Sequence, residues 1–488
     1  MELVLLIYIL LLCGFLPLYM NSGYYMLGEA KALCYLIISI PFVIILVAGQ
    51  LISRWKARRE VIEELTELKR PVSIAEFFLY GTLFSCVISF AFSVDKGMAF
   101  LGYEGWRNGL LTMFIALAVC IIIGKKGFFN SYILILFFLI PFFEFILAIL
   151  NRMSIYPFYI TGQNPSFLAT LGNINWFSGF LSVWVPLGVG CMFVQKRLSW
   201  RFWLAGIYTL AGLIALFLQG SDGAALIVIA CYSLLAWFSL NDRDRFKSFL
   251  IQIMVLGLSM TVVDILTLLA GSAYSYDRNL LVDICRSHAG VIMIAAAFFI
   301  YRISRLFEVI KVSFFSRVYK WIFGIIFVAG VAVGAFFFIT GFGDDFGNGR
   351  GIIWRMCTEI YMGLSPWQKL VGIGQDCLDS YAMNDPYWSS SFYNVFEGAV
   401  LTNAHCELLT VLIERGLLGA ITYLGLFIAT IYQLVKCKEK ESAAVICALP
   451  IFSYFIYDQI SFMQVTSMPY CFILIGIANS LTKIRNSN

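Results

Sequence analysis

Apolar segments of about 17–25 residues recur along the whole chain, and this repetition constrains the fold more than any other feature. A helix of that length spans the hydrocarbon core of a bilayer. Of the 488 residues, 61% are hydrophobic and only 13% are charged, whereas soluble domains carry about 25% charged residues. The sequence therefore predicts an all-α polytopic membrane protein, folded as a single membrane domain over residues 1–488.

The number of spans is less sharply defined than the class. We count roughly twelve to fourteen candidate transmembrane helices, because several apolar segments are short or interrupted. Segments 202–219 and 223–240, for example, are separated only by Gly220-Ser221-Asp222. Segment 1–20 has neither a basic start nor a small-residue cleavage site, so we expect it to be a retained first span.

The positive charges indicate how the chain crosses the membrane. With residue 1 on the cytoplasmic side, most of the 34 Lys and Arg residues fall in loops on that side, where positive residues concentrate in membrane proteins. We therefore predict a multi-pass protein of the plasma membrane with both termini in the cytoplasm. Segment 54–70 mixes basic residues with glutamates and is predicted to be a solvated cytoplasmic helix.

The same orientation assigns a long loop, residues 341–415, to the extracytoplasmic face. Loops of this length are uncommon in compact folds and usually carry function. Apolar residues at helical spacing in 352–362 and 406–413 predict short helices within the loop. Both histidines, His288 and His405, fall on this face, so we expect the working face of the protein to be extracytoplasmic.

Several classes of chemistry are not supported by the sequence. Most of the 13 cysteines lie inside predicted spans, and no pair has the spacing of a zinc site. A Walker motif, a dinucleotide-binding fingerprint and a nucleophile elbow are absent from the sequence. We therefore predict no metal, no cofactor and no nucleic-acid partner, and we interpret the cysteines as small packing residues.

The long loop contains an arginine suited to bind phosphate. Arg350 follows Gly347-Asn348-Gly349, where glycines let the backbone approach a ligand closely. A guanidinium stays charged and matches the geometry of phosphate oxygens. Trp354 and Arg355 follow within the same segment, and Arg107 precedes another predicted span. We predict that these arginines hold the pyrophosphate of a polyprenyl-linked substrate, the alternative being that they anchor the protein at the membrane interface.

His405 is the candidate for proton transfer, because an imidazole titrates near neutral pH. It could act as a general base on an acceptor hydroxyl, or it could donate a hydrogen bond to a leaving pyrophosphate. A histidine that only stabilises a helix start is the structural alternative. Glu407 would either orient the imidazole or favour the helix N-terminus electrostatically. His288 has no supporting pattern and is interpreted as an interfacial residue.

Short motifs follow one another in and after the long loop. They are Gly349-Arg350-x-x-x-Trp354, then Leu370-Val-Gly372-Ile-Gly374 with Cys377-Leu378, then Ala404-His405-x-Glu407-x-Leu409 leading into Glu414-x-Gly416-Leu-Leu-Gly419. In this order the motifs resemble the O-antigen ligase and polymerase superfamily, whose members are polytopic inverting glycosyltransferases of the GT-C type. Segments 102–109 and Gly172-Asn173-Ile-Asn175 are similar to earlier landmarks of that family.

The resemblance implies a donor in which an oligosaccharide is linked to polyprenyl pyrophosphate. The enzyme would transfer this glycan to a glycan or lipid-linked acceptor without a metal ion or a nucleotide sugar. Arg350 would contact the donor phosphates and His405 would assist the acceptor. The further substrate-binding residues would be Arg107, Arg355, Asn173 and Trp354. Membrane lipids, a glycan flippase and a chain-length regulator are the partners expected for such an enzyme.

The sequence departs from the family pattern at two positions. Cys406 follows the histidine where the family often has Asn, and the change removes an amide donor and acceptor. Ser221-Asp222-Gly223 stands where the family often has Ser-Arg-Gly, and an aspartate cannot bind phosphate in the same way. Arg107 is our candidate to supply the missing charge, the alternative being that the donor binds in a different position.

The sequence thus predicts an enzyme that polymerises or ligates lipid-linked glycans outside the cytoplasm, with polymerisation slightly favoured. The alternative is a secondary transporter or flippase for a lipid-linked glycan, with Asp264 and Asp458 as ion-coupling groups in the membrane. We find no internal repeat of the kind common in transporters. A non-catalytic assembly protein is a third hypothesis, under which His405 and Arg350 would be dispensable.

Overall fold

The computed structural model describes residues 2–59, 72–126, 131–240, 242–274, 279–304, 317–322, 324–325, 343–344 and 346–482. The helices are α1 (Glu2–Gly14), α2 (Leu27–Arg59), α3 (Ile74–Ala91), α4 (Lys96–Leu101), α5 (Leu110–Lys126), α6 (Ser131–Arg152), α7 (Ile174–Val194), α8 (Trp200–Leu218), α9 (Ala225–Ser239), α10 (Arg243–Ala270), α11 (Leu280–Arg286), α12 (Ala289–Ile303), α13 (Phe346–Gly363), α14 (Pro366–Val371), α15 (Leu378–Met383), α16 (Pro386–Phe396), α17 (Glu407–Lys436), α18 (Glu441–Asp458) and α19 (Met468–Leu481). Within these ranges the one sheet is an antiparallel pair of two-residue strands, β1 (Phe167–Leu168) and β2 (Gly172–Asn173).

The apolar helices confirm the all-α polytopic membrane fold. Among the described residues, eight helices are long and apolar enough to cross a membrane, and the bent pair α11 and α12 would make nine. Helices α1, α5 and α19 are apolar but shorter. The predicted count of twelve to fourteen therefore exceeds the number of long helices. Residues 321–340 are an apolar segment counted among the predicted spans. Most of this segment and most of the helix predicted at 54–70 lie outside the described residues.

The turn between α8 and α9 is held rigidly, so these two segments are separate helices. Arg152 is fully buried and its Nε donates to the Leu218 carbonyl over 2.9 Å, which satisfies a group that the end of a helix leaves unpaired. The Gln219 side chain brackets Ser221, accepting from its N–H at 2.8 Å and donating to its carbonyl at 2.6 Å. Asp222 therefore leaves the turn in a fixed direction and is exposed.

The long loop contains four helices, α13 to α16. The helix predicted at 352–362 lies within α13, the one predicted at 406–413 is the start of the long helix α17, and the sequence did not single out α14, α15 and α16. These helices share an apolar core of their own, separate from the main core between the long helices. Buried side chains such as Cys357, Ile373 and Phe392 form it, and Leu409 and Ile413 from the start of α17 complete it. Packing against α17 thus fixes the loop relative to the long helices.

Helix α17 begins at Glu407 and changes direction at Gly416, whose φ of 65° and ψ of −169° are not helical. The sequence predicts a span from 416 onwards, so the helical region begins nine residues before the predicted one. Glu414 and Arg415 consequently lie in the first part of α17, where they are 6% and 2% exposed. The break brings these two charged residues inside the protein.

Candidate functional site

His405 lies in the turn that leads into α17. Its φ of 47° is left-handed, a conformation that is uncommon for residues other than glycine and often marks a functional position. The His405 N–H donates to Asn403 Oδ1 over 3.0 Å, and the preceding N–H of Ala404 donates to Thr410 Oγ1 over 3.0 Å. The imidazole meets the Phe462 ring edge-on with 5.4 Å between centroids. The turn is therefore held from both sides.

Arg350, in the first turns of α13, is brought close to His405. The pKa of His405 falls to about 4, chiefly because the imidazole is buried and also because the positive charge of Arg350 is near. Arg350 Nη1 donates to the Gly347 carbonyl over 3.1 Å, and its buried Nε has no hydrogen-bond partner among the described residues. Arg350 and His405, both from the loop motifs, thus lie close enough to interact electrostatically. The Arg350 guanidinium keeps a donor, Nε, without a partner among the described residues.

Tyr457, near the end of α18, lies beside this pair and close enough to Arg350 to interact with its charge. Its hydroxyl donates to the Asn175 carbonyl over 2.9 Å, and the Asn175 side chain accepts from Ser221 Oγ over 2.9 Å. This network connects the Ser221-Asp222-Gly223 turn to the site.

Aromatic rings form one side of the site. Phe462, which packs on His405, also lies 6.4 Å from the Trp106 ring, and Trp106 meets Trp176 edge-on at 4.9 Å. Both tryptophans are partly exposed. The apolar face of a sugar ring can pack on such a surface, since aromatic side chains offer large rigid contact areas.

The other predicted substrate-binding residues have partners of their own. Arg107 holds Glu29 through Nε at 2.7 Å and Nη2 at 2.6 Å, so its charge is already neutralised. Arg355 pairs with the exposed Asp344 at 2.9 Å. The Trp354 ring packs against Phe346, 5.7 Å away.

Asn173 caps helix α7 by accepting from the Asn175 N–H over 2.9 Å. This contact gives Asn173 a structural task at the start of a helix. Arg107, the candidate to replace the family arginine at Asp222, is paired with Glu29. Its role in donor binding stays a prediction.

Glu407 does not orient the imidazole. Its carboxylate accepts from the Met463 N–H over 3.0 Å and lies 3.7 Å from Arg415, and no hydrogen bond joins it to His405 among the described contacts. It is the first residue of α17, where a negative charge interacts favourably with the helix dipole. Of the two roles predicted for Glu407, the electrostatic one at the helix N-terminus agrees with its contacts.

A small cavity lies beneath the His405 turn. Its volume is about 20 Å³, enough for about one water molecule. Segments that are far apart in the sequence meet around it, through Asn108, Gln375, Asp376, Asn403 and Glu407. Glu414 and Arg415 line it as well. A sugar or a pyrophosphate does not fit into this cavity.

Asp376 connects the 102–109 turn to the long loop through hydrogen bonds, and the sequence motifs do not predict this role. Its Oδ2 accepts from the N–H groups of Tyr103 and Asn108 at 2.6 and 3.0 Å. Burial raises the pKa of Asp376 to about 6, although these two hydrogen bonds and the charge of Arg107 oppose the rise. The signal available in the sequence was an acidic residue two positions after the Gly372-Ile-Gly374 motif.

No family model matches this chain, and no curated protein matches it. The resemblance to the O-antigen ligase and polymerase superfamily therefore depends on the short motifs and their order. What the structure adds is the proximity of residues from those motifs, which Arg350 and His405 illustrate.

Proposed function

We propose that this protein transfers a glycan from a polyprenyl pyrophosphate donor to an acceptor hydroxyl, as a polymerase in the first place and otherwise as a ligase. The observation that supports this proposal most is the position of Arg350, with no carboxylate partner among the described residues, beside a neutral His405. A cation suited to phosphate and a group able to accept a proton are the two elements that such a transfer requires.

The proposed step uses both residues directly. Arg350 binds oxygens of the donor pyrophosphate, and the acceptor hydroxyl gives its proton to His405 as its oxygen attacks the anomeric carbon. The bond from that carbon to the pyrophosphate oxygen breaks, and the polyprenyl pyrophosphate leaves with the electron pair. The attack inverts the configuration at the anomeric carbon, as the family resemblance implies. The aromatic side formed by Trp106 and Phe462 offers a surface for a sugar ring.

The low pKa of His405 makes the imidazole neutral at pH 7 but a weak base without substrate. A bound pyrophosphate would add negative charge next to the imidazole and offset Arg350, and both effects raise the pKa of His405. Donor binding would therefore strengthen the base only when it is needed. In the second role considered for His405, the neutral ring donates its N–H to the leaving pyrophosphate.

The titration of His405 can be followed directly, because the chain has only two histidines. In a His288→Gln variant labelled with isotopic histidine, the one imidazole NMR signal is expected to titrate near pH 4. Adding Arg350→Gln removes a positive charge and is expected to shift this midpoint upward. A midpoint near 6.5 in the parent variant, unchanged by Arg350→Gln, would contradict the site described above.

Activity is expected to depend on the same ionisation. Since the free enzyme must hold His405 unprotonated, kcat/KM falls as the pH drops through about 4 and does not respond to this group above it.

A transporter is the second candidate, and one observation favours it. Helices α11 and α12 meet at a bend of 63°, and broken helices are common at transporter binding sites. At the bend, His288 Nδ1 lies 2.8 Å from Asp264 Oδ2, a contact that the interpretation of His288 as a simple interfacial residue did not foresee. Asp458, the other proposed coupling group, is the last residue of α18 and is 2% exposed.

The two functions separate in detergent solution, where no gradient and no second compartment exist. A purified polymerase is expected to lengthen lipid-linked repeat units in detergent, whereas a transporter forms no new glycosidic bond. In cells without the protein, accumulation of single lipid-linked repeat units indicates a polymerase, and accumulation of polymerised carrier-linked chains indicates a ligase. If the purified protein lengthens neither a glycan acceptor nor a lipid-linked acceptor, the proposal is wrong.

A further inference from the structure

The cavity beneath the His405 turn has two buried amide oxygens without donors. Gln375 is 1% exposed, and its Oε1 has no hydrogen-bond partner among the described residues. The buried Oδ1 of Asn108 likewise has no partner in the described part of the chain. Both side chains line the cavity. Buried polar atoms without partners are rare in folded proteins, because the loss of hydration is not offset.

The orientation of both amides is fixed by their other ends. Gln375 Nε2 donates to the Cys86 carbonyl over 3.0 Å, and Asn108 Nδ2 donates to the Met463 carbonyl over 2.8 Å. Turning either amide over would direct an oxygen at a carbonyl oxygen, which is repulsive. The two oxygens therefore remain acceptors, and an occupant of this cavity must offer them hydrogen-bond donors or positive charge.

Negative charge exceeds positive charge around the same cavity. Asp376, Glu407 and Glu414 line it with Arg415, and each of the four is at most 6% exposed. Buried charges are unfavourable unless they are paired, neutralised or bound to a cation. One guanidinium cannot offset three carboxylates, so the cavity attracts a cation or protons.

The available ligands favour a monovalent ion. Asp376 already accepts two backbone hydrogen bonds, and Glu407 is shared between the Met463 N–H and Arg415. No group of three or more His, Cys, Asp or Glu side chains among the described residues could hold a metal ion. Mg²⁺ keeps several waters, for which about 20 Å³ leaves no space. Ca²⁺ takes six to eight oxygen ligands, more than the two amide oxygens without partners provide.

We propose that this cavity binds one monovalent alkali cation of the size of Na⁺, with the Gln375 and Asn108 amide oxygens as its ligands and the negative charge of the neighbouring carboxylates as the source of its attraction. The bound ion would join the 102–109 turn, the segment around Gln375 and the start of α17. It would thereby stabilise the turn that holds His405. The ion site does not depend on the glycan-transfer proposal, because it follows from the cavity alone.

The first test is the thermal unfolding of the purified full-length protein in detergent. Chloride concentration and ionic strength are kept constant while Na⁺ replaces N-methyl-D-glucamine, an organic cation too large for the cavity. The unfolding temperature is expected to rise with Na⁺ by several degrees and in a saturable way, as for any ligand that binds only the folded state. Equal unfolding temperatures in both salts at every concentration would mean that only water or protons occupy the cavity, and would overturn the proposal.

Gln375→Met removes the proposed ligand oxygen at a nearly constant volume, and Gln252→Met is its matched control. Gln252 is also 1% exposed, donates Nε2 to a carbonyl (Val189, 3.3 Å) and has an Oε1 without a partner among the described residues, but it does not line the cavity. The Na⁺ effect is expected to disappear in Gln375→Met and to persist in Gln252→Met. Its persistence in both variants would contradict the assignment of this cavity.

A binding measurement on the unmodified protein covers the case in which Gln375→Met does not fold. Equilibrium binding of radioactive ²²Na⁺ is expected to saturate at one ion per chain and to be displaced by unlabelled Na⁺. No saturable binding would overturn the proposal whatever the behaviour of the variants.

Discussion

Replacing His405 or Arg350 by alanine is expected to reduce glycan transfer by roughly 100- to 10,000-fold while leaving the protein folded in the membrane. Loss of His405 removes the group proposed to take the acceptor proton. Loss of Arg350 removes the charge proposed to stabilise the departing pyrophosphate. Product chain length by gel electrophoresis, together with the amount of protein in the membrane fraction, measures both parts of the expectation.

The chain offers a matched control for each variant. Arg197 pairs with the exposed Asp244 and is not among the predicted substrate-binding residues, so Arg197→Ala is expected to retain most of the activity. His288→Ala removes the only other histidine and its contact with Asp264. Normal product from His405→Ala and Arg350→Ala would support the non-catalytic hypothesis, and loss of product only in His288→Ala would support the transporter.

The double variant shows whether the two residues act in one step. When two groups act as a unit, removing either one abolishes nearly all of the rate enhancement that they provide together. The combined effect of removing both is therefore smaller than the product of the single effects. We expect His405→Ala with Arg350→Ala to be little worse than the poorer single variant. Fully multiplicative losses would indicate two independent sites.

The sequence predicts the fold class well because the bilayer imposes one requirement on every span. Each span must be long, apolar and helical, and these properties are visible locally. The number of spans is harder to predict, because helices such as α1 and α19 are apolar but only 13 and 14 residues long. Length then no longer separates a span from a buried helix.

The candidate site is predictable where its signals are local and not where they depend on distant partners. Arg350 after two glycines and His405 before an apolar helix are visible in the sequence. The pairing of Arg107 with Glu29 joins residues 78 positions apart, so the sequence gives no sign that the Arg107 charge has a carboxylate partner. Glu414 and Arg415 look like the end of a loop but are buried, since the break at Gly416 lies after them.

The glycines of two motifs have a role that sequence alone does not reveal. Gly372 and Gly416 have φ values of 85° and 65° and lie where the long loop meets α17. A Cβ on Gly372 would be 2.0 Å from the Glu414 carbonyl oxygen, and one on Gly416 would be 2.4 Å from the backbone of Leu370. Ile373 and Gly374 donate to the carbonyls of Ile413 and Glu414 at 3.2 and 3.0 Å. The contact is therefore backbone against backbone.

Gly372→Ala and Gly416→Ala are accordingly expected to prevent this contact and to destabilise the folded protein severely. The left-handed backbone alone costs about 1–3 kcal/mol for a residue with a side chain. The overlap cannot be relieved by a rotamer change, because backbone atoms lie on both sides. We expect a sharp loss of monodisperse protein in size-exclusion chromatography and a large drop in the unfolding temperature of what remains.

Gly363→Ala is the control, since nothing lies within 4 Å of a Cβ there and the glycine ends helix α13. That change is expected to be neutral or slightly stabilising, because alanine restricts the unfolded chain. If Gly372→Ala and Gly416→Ala were as stable as Gly363→Ala, the loop would not dock on α17 as described. Arg350 lies in the loop and His405 lies in the turn before α17. Without this docking, Arg350 would have no fixed position beside His405. The two glycines are thus a structural precondition of the proposed site, and their loss is expected to abolish activity without removing any group that contacts substrate.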